Sequence, residues 1–288
     1  MYHDYGGKVD MGFLGDPGMD SYSFPICRQD FMPTALVRTY TTGGFVIAAD
    51  GRMRSDRTWA IVSDTTQKIF EVGDQRRMLA YAFVGAAKLT PDDSDEVVFD
   101  FISETAKVVR VLATRKTKNL FGYAVRLSRA IQALLMDAKD VRFPVEGKQQ
   151  PNETGITICR LFLDGYCNGL PSRAAVRFSH EDQKLSKPEI SDPGIEEDDF
   201  LARGSKIVAQ LLLDTNDERF SAYRVAPTQF SDSMSWAIER AKQYILACSD
   251  PKGTEADEEG CKHIGGRIHI ATVKRESGFS WVPGFEPL

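Results

Sequence analysis

From Thr34 onward the chain alternates apolar and polar positions in short runs, and only later does the period lengthen. Ala35 to Thr41 reads as a strand, Gly43-Gly44 as a turn and Phe45 to Ala49 as a second, wholly apolar strand, together a hairpin. Ile69 to Val72 and Met78 to Val84 repeat that arrangement around Gly73-Asp74. From about Ser94 to Ala113 apolar residues recur at Val98, Phe101, Ile102, Val108, Val109 and Leu112, the spacing of one helix face. Asp93 and Glu96 suit a variant capping box at its start. Leu120 to Ala138 carries a second such face through Val125, Leu127, Ile131, Leu134 and Leu135. Strands return at Ile156–Leu163 and Ala174–Phe178, and helices at about Ser205–Leu213 and Ser233–Leu246. Ser231 or Ser233 is the expected N-cap of the last helix. Ile268–Val273 is a final buried strand, with Phe279–Val282 as its partner. Residues 1–33, with Pro17, Pro25 and Pro33, show no steady period and are predicted to be an irregular extension. The acidic stretches Lys187–Asp199 and Asp250–Gly260 are predicted to be surface loops.

The order is therefore strands, two helices, strands, two helices, strands. Two sheets packed face to face, each covered outside by a helix pair, bury all of these stripes. The predicted class is α+β, a four-layer αββα sandwich spanning 34–288.

Composition narrows the function more than the fold. Of 288 residues, 42% are hydrophobic and 27% charged, enough apolar matter for a core. A net charge of −5 gives no basic field to neutralise phosphates, so nucleic acid is not an expected partner. No apolar run nears the roughly 18 residues that span a bilayer, and no basic n-region precedes an apolar stretch. No membrane association is expected, and the predicted location is cytoplasmic. Five cysteines without CxxC spacing read as free thiols. Cys261, His263 and His269 match no common ligand spacing, so no metal is predicted. No phosphate loop or dinucleotide fingerprint occurs, so no cofactor is predicted either. Four histidines and no Gly-x-Ser-x-Gly elbow argue against a Ser-His-Asp hydrolase.

The run from Thr34 through Gly43-Gly44 to Asp50-Gly51-Arg52 resembles the opening of a mature proteasome β subunit. That family starts with Thr, turns at a Gly and reaches Asp-x-Arg at this distance. Lys68-Ile69 resembles its next landmark after a two-residue insertion, and Ala82-Phe83-Val84-Gly85-Ala86-Ala87 its strand end. Ala202-Arg203-Gly204-Ser205 resembles the opening of its third helix, and Ile264-Gly265-Gly266 its late Ser-Gly-Gly. The likeness covers about residues 34 to 282 and is densest in its first third. It implies an N-terminal-nucleophile (Ntn) hydrolase fold, a threonine peptidase activity in protein breakdown, and a ring-like oligomer of itself or related subunits. Peptides or unfolded proteins are the implied substrates.

A threonine hydroxyl needs a base, and in such enzymes the residue's own α-amine, with a reference pKa of roughly 7.7–8.0, serves. An amide nitrogen is not basic, so residues 1–33 become a propeptide to be cut before Thr34. By the resemblance, Lys68 sits beside the hydroxyl, Asp50 is its counter-ion, and the Gly85 N–H stabilises the oxyanion. Ser205 is implied to bond the amino group, and Arg52 to brace the site. The primary specificity pocket maps onto Met53, Thr66, Phe70, Phe83 and Ala87, none charged, which implies a preference for apolar side chains. The chain departs from the pattern at Pro33, where the family has Gly, and at Cys261 and Ile264, where it has a supporting Asp and Ser. A catalytically inactive scaffold or assembly subunit of the same fold, and an Ntn amidase acting on a small amide, stay open as alternatives.

Overall fold

A computed structural model describes residues 34–55, 58–74, 77–91, 96–113, 118–138, 141, 143, 155–195, 200–226 and 233–288, and the backbone of 27–32. Its strands are β1 Cys27–Met32, β2 Leu36–Thr41, β3 Gly44–Asp50, β4 Met53–Arg54, β5 Ile61–Ser63, β6 Ile69–Asp74, β7 Arg77–Pro91 and β8 Phe99–Asp100. Helices α1 (Phe101–Ala113) and α2 (Leu120–Asp137) follow, then β9 Ile156–Cys167, β10 Leu170–Glu181, β11 Lys184–Leu185, β12 Glu189–Ser191 and β13 Phe200–Arg203. Next come α3 (Lys206–Leu213), a 3₁₀ turn (Glu218–Tyr223), α4 (Met234–Ser249), α5 (Pro251–Ala256), α6 (Glu258–Cys261), β14 (Ile268–Lys274) and β15 (Gly278–Trp281).

The described strands form two sheets with antiparallel pairing. One runs β11-β10-β9-β7-β1-β4-β5, with β12 on β10 and β6 and β8 on β7. The other runs β13-β2-β3-β14-β15. The chain is thus a mixed α and β protein of the α+β kind. Three apolar clusters fix where the elements lie. Leu36, Phe45, Ile47 and Ala271 of the smaller sheet pack against Ile69, Ala80, Ala82 and Phe162 of the larger. The alternate residues Val37, Val46, Ala48 and Ile270 meet Val208, Ala241 and Tyr244 from α3 and α4. On the larger sheet, Leu79, Phe83 and Leu161 meet Phe101, Val109, Leu127 and Ile131 from α1 and α2. A strand's side chains point alternately to its two faces, so alternate residues of one strand join different clusters.

Several expected boundaries move. Leu120–Asp137, Lys206–Leu213, the strands of the first hairpin, Ile69–Asp74, Ile268–Lys274 and Gly278–Trp281 fall within a residue or two of their predicted limits. Helix α1 starts at Phe101, after the short strand β8, and Asp100 caps it by accepting from Ser103 N at 2.9 Å. The capping box expected at Asp93 lies outside the described residues. Ser233, not Ser231, caps α4 through Trp236 N. Gly73 and Asp74, expected as a turn, continue β6 and pair with Met78 and Arg77. The stretch expected as an acidic loop at 250–260 is two short helices, started by Asp250 and Asp257 whose carboxylates accept from Lys252 N and Gly260 N. Within 187–199, residues 189–191 pair with β10. The largest correction is at the N-terminus. Residues 27–32, expected to be irregular, form β1 and lie between β7 and β4 inside the larger sheet. Its sequence, CRQDFM, carries no alternating apolar signal of burial, so only its two strand partners specify it.

Candidate active site

Thr34 lies where the chain leaves one sheet and enters the other: β1 belongs to the larger, β2 to the smaller. It is 5% exposed. The next residue, Ala35, exchanges two hydrogen bonds with the end of β3. Asp50 N donates to Ala35 O (3.1 Å), and Ala35 N donates to Asp50 Oδ1 (3.0 Å). The same Oδ1 accepts from Lys68 Nζ at 2.9 Å, and both side chains are fully buried. Asp50 Oδ2 accepts from Gly265 N (3.2 Å) and Arg52 N (3.3 Å). Four donors therefore hold one carboxylate, which uses its lone-pair capacity in full. Burial pushes the Asp50 carboxyl up and is partly offset by the Lys68 charge and these donors. Burial likewise pushes the Lys68 ammonium down, offset by Asp50 and reinforced by the positive Arg52.

Two glycines are required by this packing. Gly85 has φ +106°, and a Cβ there would lie 2.6 Å from Ile158 O. Gly265 has φ +152°, and a Cβ there would lie 2.7 Å from Arg52 Cζ. Arg52 thus lies flat against the Gly265 backbone, while its Nε donates to Asp64 Oδ1 (2.7 Å) and its Nη1 to Ile264 O (3.4 Å). It ties three segments together.

Ser205 approaches from the helix side. Gly204 before it packs on Ala35, and Ser205 Oγ caps α3 by accepting from Val208 N at 2.9 Å. The same hydroxyl donates to Asp257 Oδ2 at 2.6 Å. The resemblance placed the family's late Asp and Ser at Cys261 and Ile264 and left the acidic run at Asp257 out of step with them. The intervening turn of α6 brings the earlier acid to Ser205 instead. An Asp three residues ahead of Gly260 is an N-cap pattern, and that is the signal that could have found it. Cys261 is buried, hydrogen-bonded to Cys248 and Ser205; the Cys248 contact chiefly lowers its pKa and raises that of Cys248.

Of the expected pocket residues, Met53, Phe70, Phe83 and Ala87 join one apolar cluster, with Phe70 edge-on to Phe83 at 6.0 Å. Thr66 is tied separately, its N donating to Gly51 O at 2.8 Å. The region around Gly85 is bordered by β1. Met32 pairs with Gly85, Phe31 with Ala86 and, on the other side, with Arg54 of β4. The chain leading into Thr34 thus fills a strand-wide slot between β7 and β4. Pro33 itself lies outside the described residues. A cavity of about 350 Å³ exists elsewhere, between α3 and α4, lined by Leu212, Trp236 and Arg240 among others, and contains none of the expected site residues. Among the described residues no group of three or more His, Cys, Asp or Glu could hold a metal, and no helix is long and apolar enough to cross a membrane.

No family model matches this sequence, and no curated protein matches it. Among solved structures, the Anbu (Gly-1) mutant from Hyphomicrobium sp. strain MC1 aligns over 86% of this chain and 84% of its own, at 13% identity and a TM-score of 0.47. A likeness of that size carries no argument about chemistry, which rests on the site itself.

Proposed function

We propose that this chain is a proteasome-like Ntn hydrolase with a four-layer αββα arrangement, in which Thr34 becomes the nucleophile once the bond before it is cut. The observation that carries the reading is the fully buried Asp50–Lys68 pair, bonded to the backbone of Ala35 beside Thr34. A buried pair of this kind is costly, and replacing it by apolar residues is often neutral or stabilising. Its placement next to a threonine at the crossing between two sheets gives it a use: a lysine of lowered pKa that acts on the hydroxyl and keeps the freed amine neutral.

In this reading Gly85 N–H receives the oxyanion, Ser205 with Asp257 orients the amine, and Arg52 holds the loop bearing Gly265. The apolar group of Met53, Phe70, Phe83 and Ala87 receives the side chain before the cut. The substrate is an extended peptide that takes the slot now held by β1, and the reaction is amide hydrolysis through an acyl-threonine. A ring-like oligomer, and a cytoplasmic role in protein breakdown, come with the resemblance.

A second reading is favoured by β1 itself. Uncut, β1 keeps two strand partners and closes the slot, which suits a scaffold subunit of the same fold. The intact mass of the full-length protein decides. A chain beginning at Thr34 that hydrolyses peptides with apolar residues before the cut, and stays full length as Thr34→Ala, supports the hydrolase. A chain that keeps residues 1–33 and hydrolyses nothing supports the scaffold. If Pro33→Gly alone then starts cutting, the proline is the block.

A further inference from the structure

His269 stands on β14 directly opposite Ala49, one residue from Asp50. Ile270 faces the helices while Ala271 and Val273 face the space between the sheets, so His269 shares the inward parity of those two. It is fully buried, and its ring meets Trp281 edge-on at 6.3 Å. Neither ring nitrogen has a partner among the described residues. Buried polar atoms are seldom left unbonded, and those that are commonly hold a bound water. The charges that act on it are Lys68, bonded to Asp50, and Arg267, just before the strand begins. Burial first, then Arg267 and Lys68, lowers the imidazole pKa to about 4, so the ring is neutral near pH 7. A neutral ring offers one donor and one acceptor nitrogen.

We propose that His269 is a positioning residue for Lys68, acting through one buried water. The Lys68 ammonium donates to the water, and the water donates to the acceptor nitrogen of His269. The chemistry favours an imidazole at this place. A cation would repel Lys68. A carboxylate would compete with Asp50 and hold Lys68 permanently charged. A neutral acceptor fixes one Lys68 N–H without adding charge, so the ammonium keeps a single orientation toward Thr34. That consequence rests on the hydrolase reading, whereas the link between His269 and Lys68 does not.

The test is the titration of Lys68 in the full chain, followed by NMR of ¹³Cε-labelled lysine and assigned by loss of its signal in Lys68→Met. His269→Phe removes the acceptor, and the Lys68 midpoint should fall by about one pH unit. His269→Gln keeps an acceptor and should hold it near the wild-type value. In ¹⁵N-histidine spectra of the unaltered protein, the acceptor nitrogen should lie upfield of a free imidazole, a readout that needs no variant to fold. An unbonded ¹⁵N position, or a Lys68 midpoint identical in wild type and His269→Phe, overturns the proposal. Hydrolysis separates the two readings. If Lys68 moves but no variant cleaves peptide, the link stands and the hydrolase reading fails. If peptide is cleaved and Lys68 does not move, the link fails alone.

Discussion

Two buried carboxylates lie between the sheets, and they are held in opposite ways. Asp164 of β9 is gripped by arginines: Arg173 Nε at 3.0 Å from its own sheet and Arg38 Nη1 at 3.4 Å from the other. Arg38 also lies over the Phe162 ring at 4.3 Å, and Arg173 over Phe45 at 5.5 Å. Asp50 is held instead by three backbone N–H groups and one lysine. Arginine stays protonated in proteins and its planar fork suits bracing, whereas a buried lysine shifts its pKa and can take part in proton chemistry. Asp164 is thus a strut between sheets. Asp50 fixes the backbone of Ala35 beside Thr34 and binds Lys68, the lysine that the proposed function assigns to the threonine hydroxyl.

The comparison breaks most decisively through the carboxylates. Asp50→Asn and Asp164→Asn should each cost about 3–5 kcal/mol in urea unfolding, because each strands buried positive charge. Only Asp50→Asn should also abolish hydrolysis at temperatures where the variant is folded. If Asp164→Asn is equally dead while folded, the division between strut and chemistry is wrong.

Acid should act through the Asp50 end. His269 has a folded pKa of about 4 against an ordinary value of 6.5. Between those pH values the unfolded chain binds more protons, so stability falls as pH drops from 6.5 toward 4. This group's share is up to about 3 kcal/mol. His180 and His263 are also lowered by burial, so the difference between wild type and His269→Gln isolates it. Parallel stability profiles for the two proteins would remove His269 from the acid response.

Exchanging the cations is a finer test. Arg173→Lys loses the fork and should cost about 1–2 kcal/mol with kcat unchanged. Lys68→Arg keeps the charge but loses the titratable amine, so kcat should vanish in protein that still melts cooperatively. The smallest effect concerns caps. Ser205→Ala and Asn119→Ala each remove an N-cap, of α3 and α2, and should cost about 1 kcal/mol alike. Only the Ser205 change should slow hydrolysis; equal kcat in both variants would reduce Ser205 to a helix cap.

What the sequence determined by itself was the list of periodic segments and the spacing of the landmarks. Apolar alternation in 36–50 and the helical stripes of 120–137 follow from local side-chain geometry, which a linear pattern records. The spacing between Ala35 and Asp50 also survives into space, because the hairpin between β2 and β3 is local and its register follows from one short turn. Tertiary structure decided the rest. Nothing local in CRQDFM marks it as a strand; β1 exists because β7 and β4 offer edges to it. Asp257 reaches Ser205 across 52 residues only because α6 turns back. His269 reads as an ordinary strand residue until Ala49, Trp281 and Lys68 surround it. Each of these depends on partners far along the chain, and periodicity carries no information about which distant edge or loop will be near.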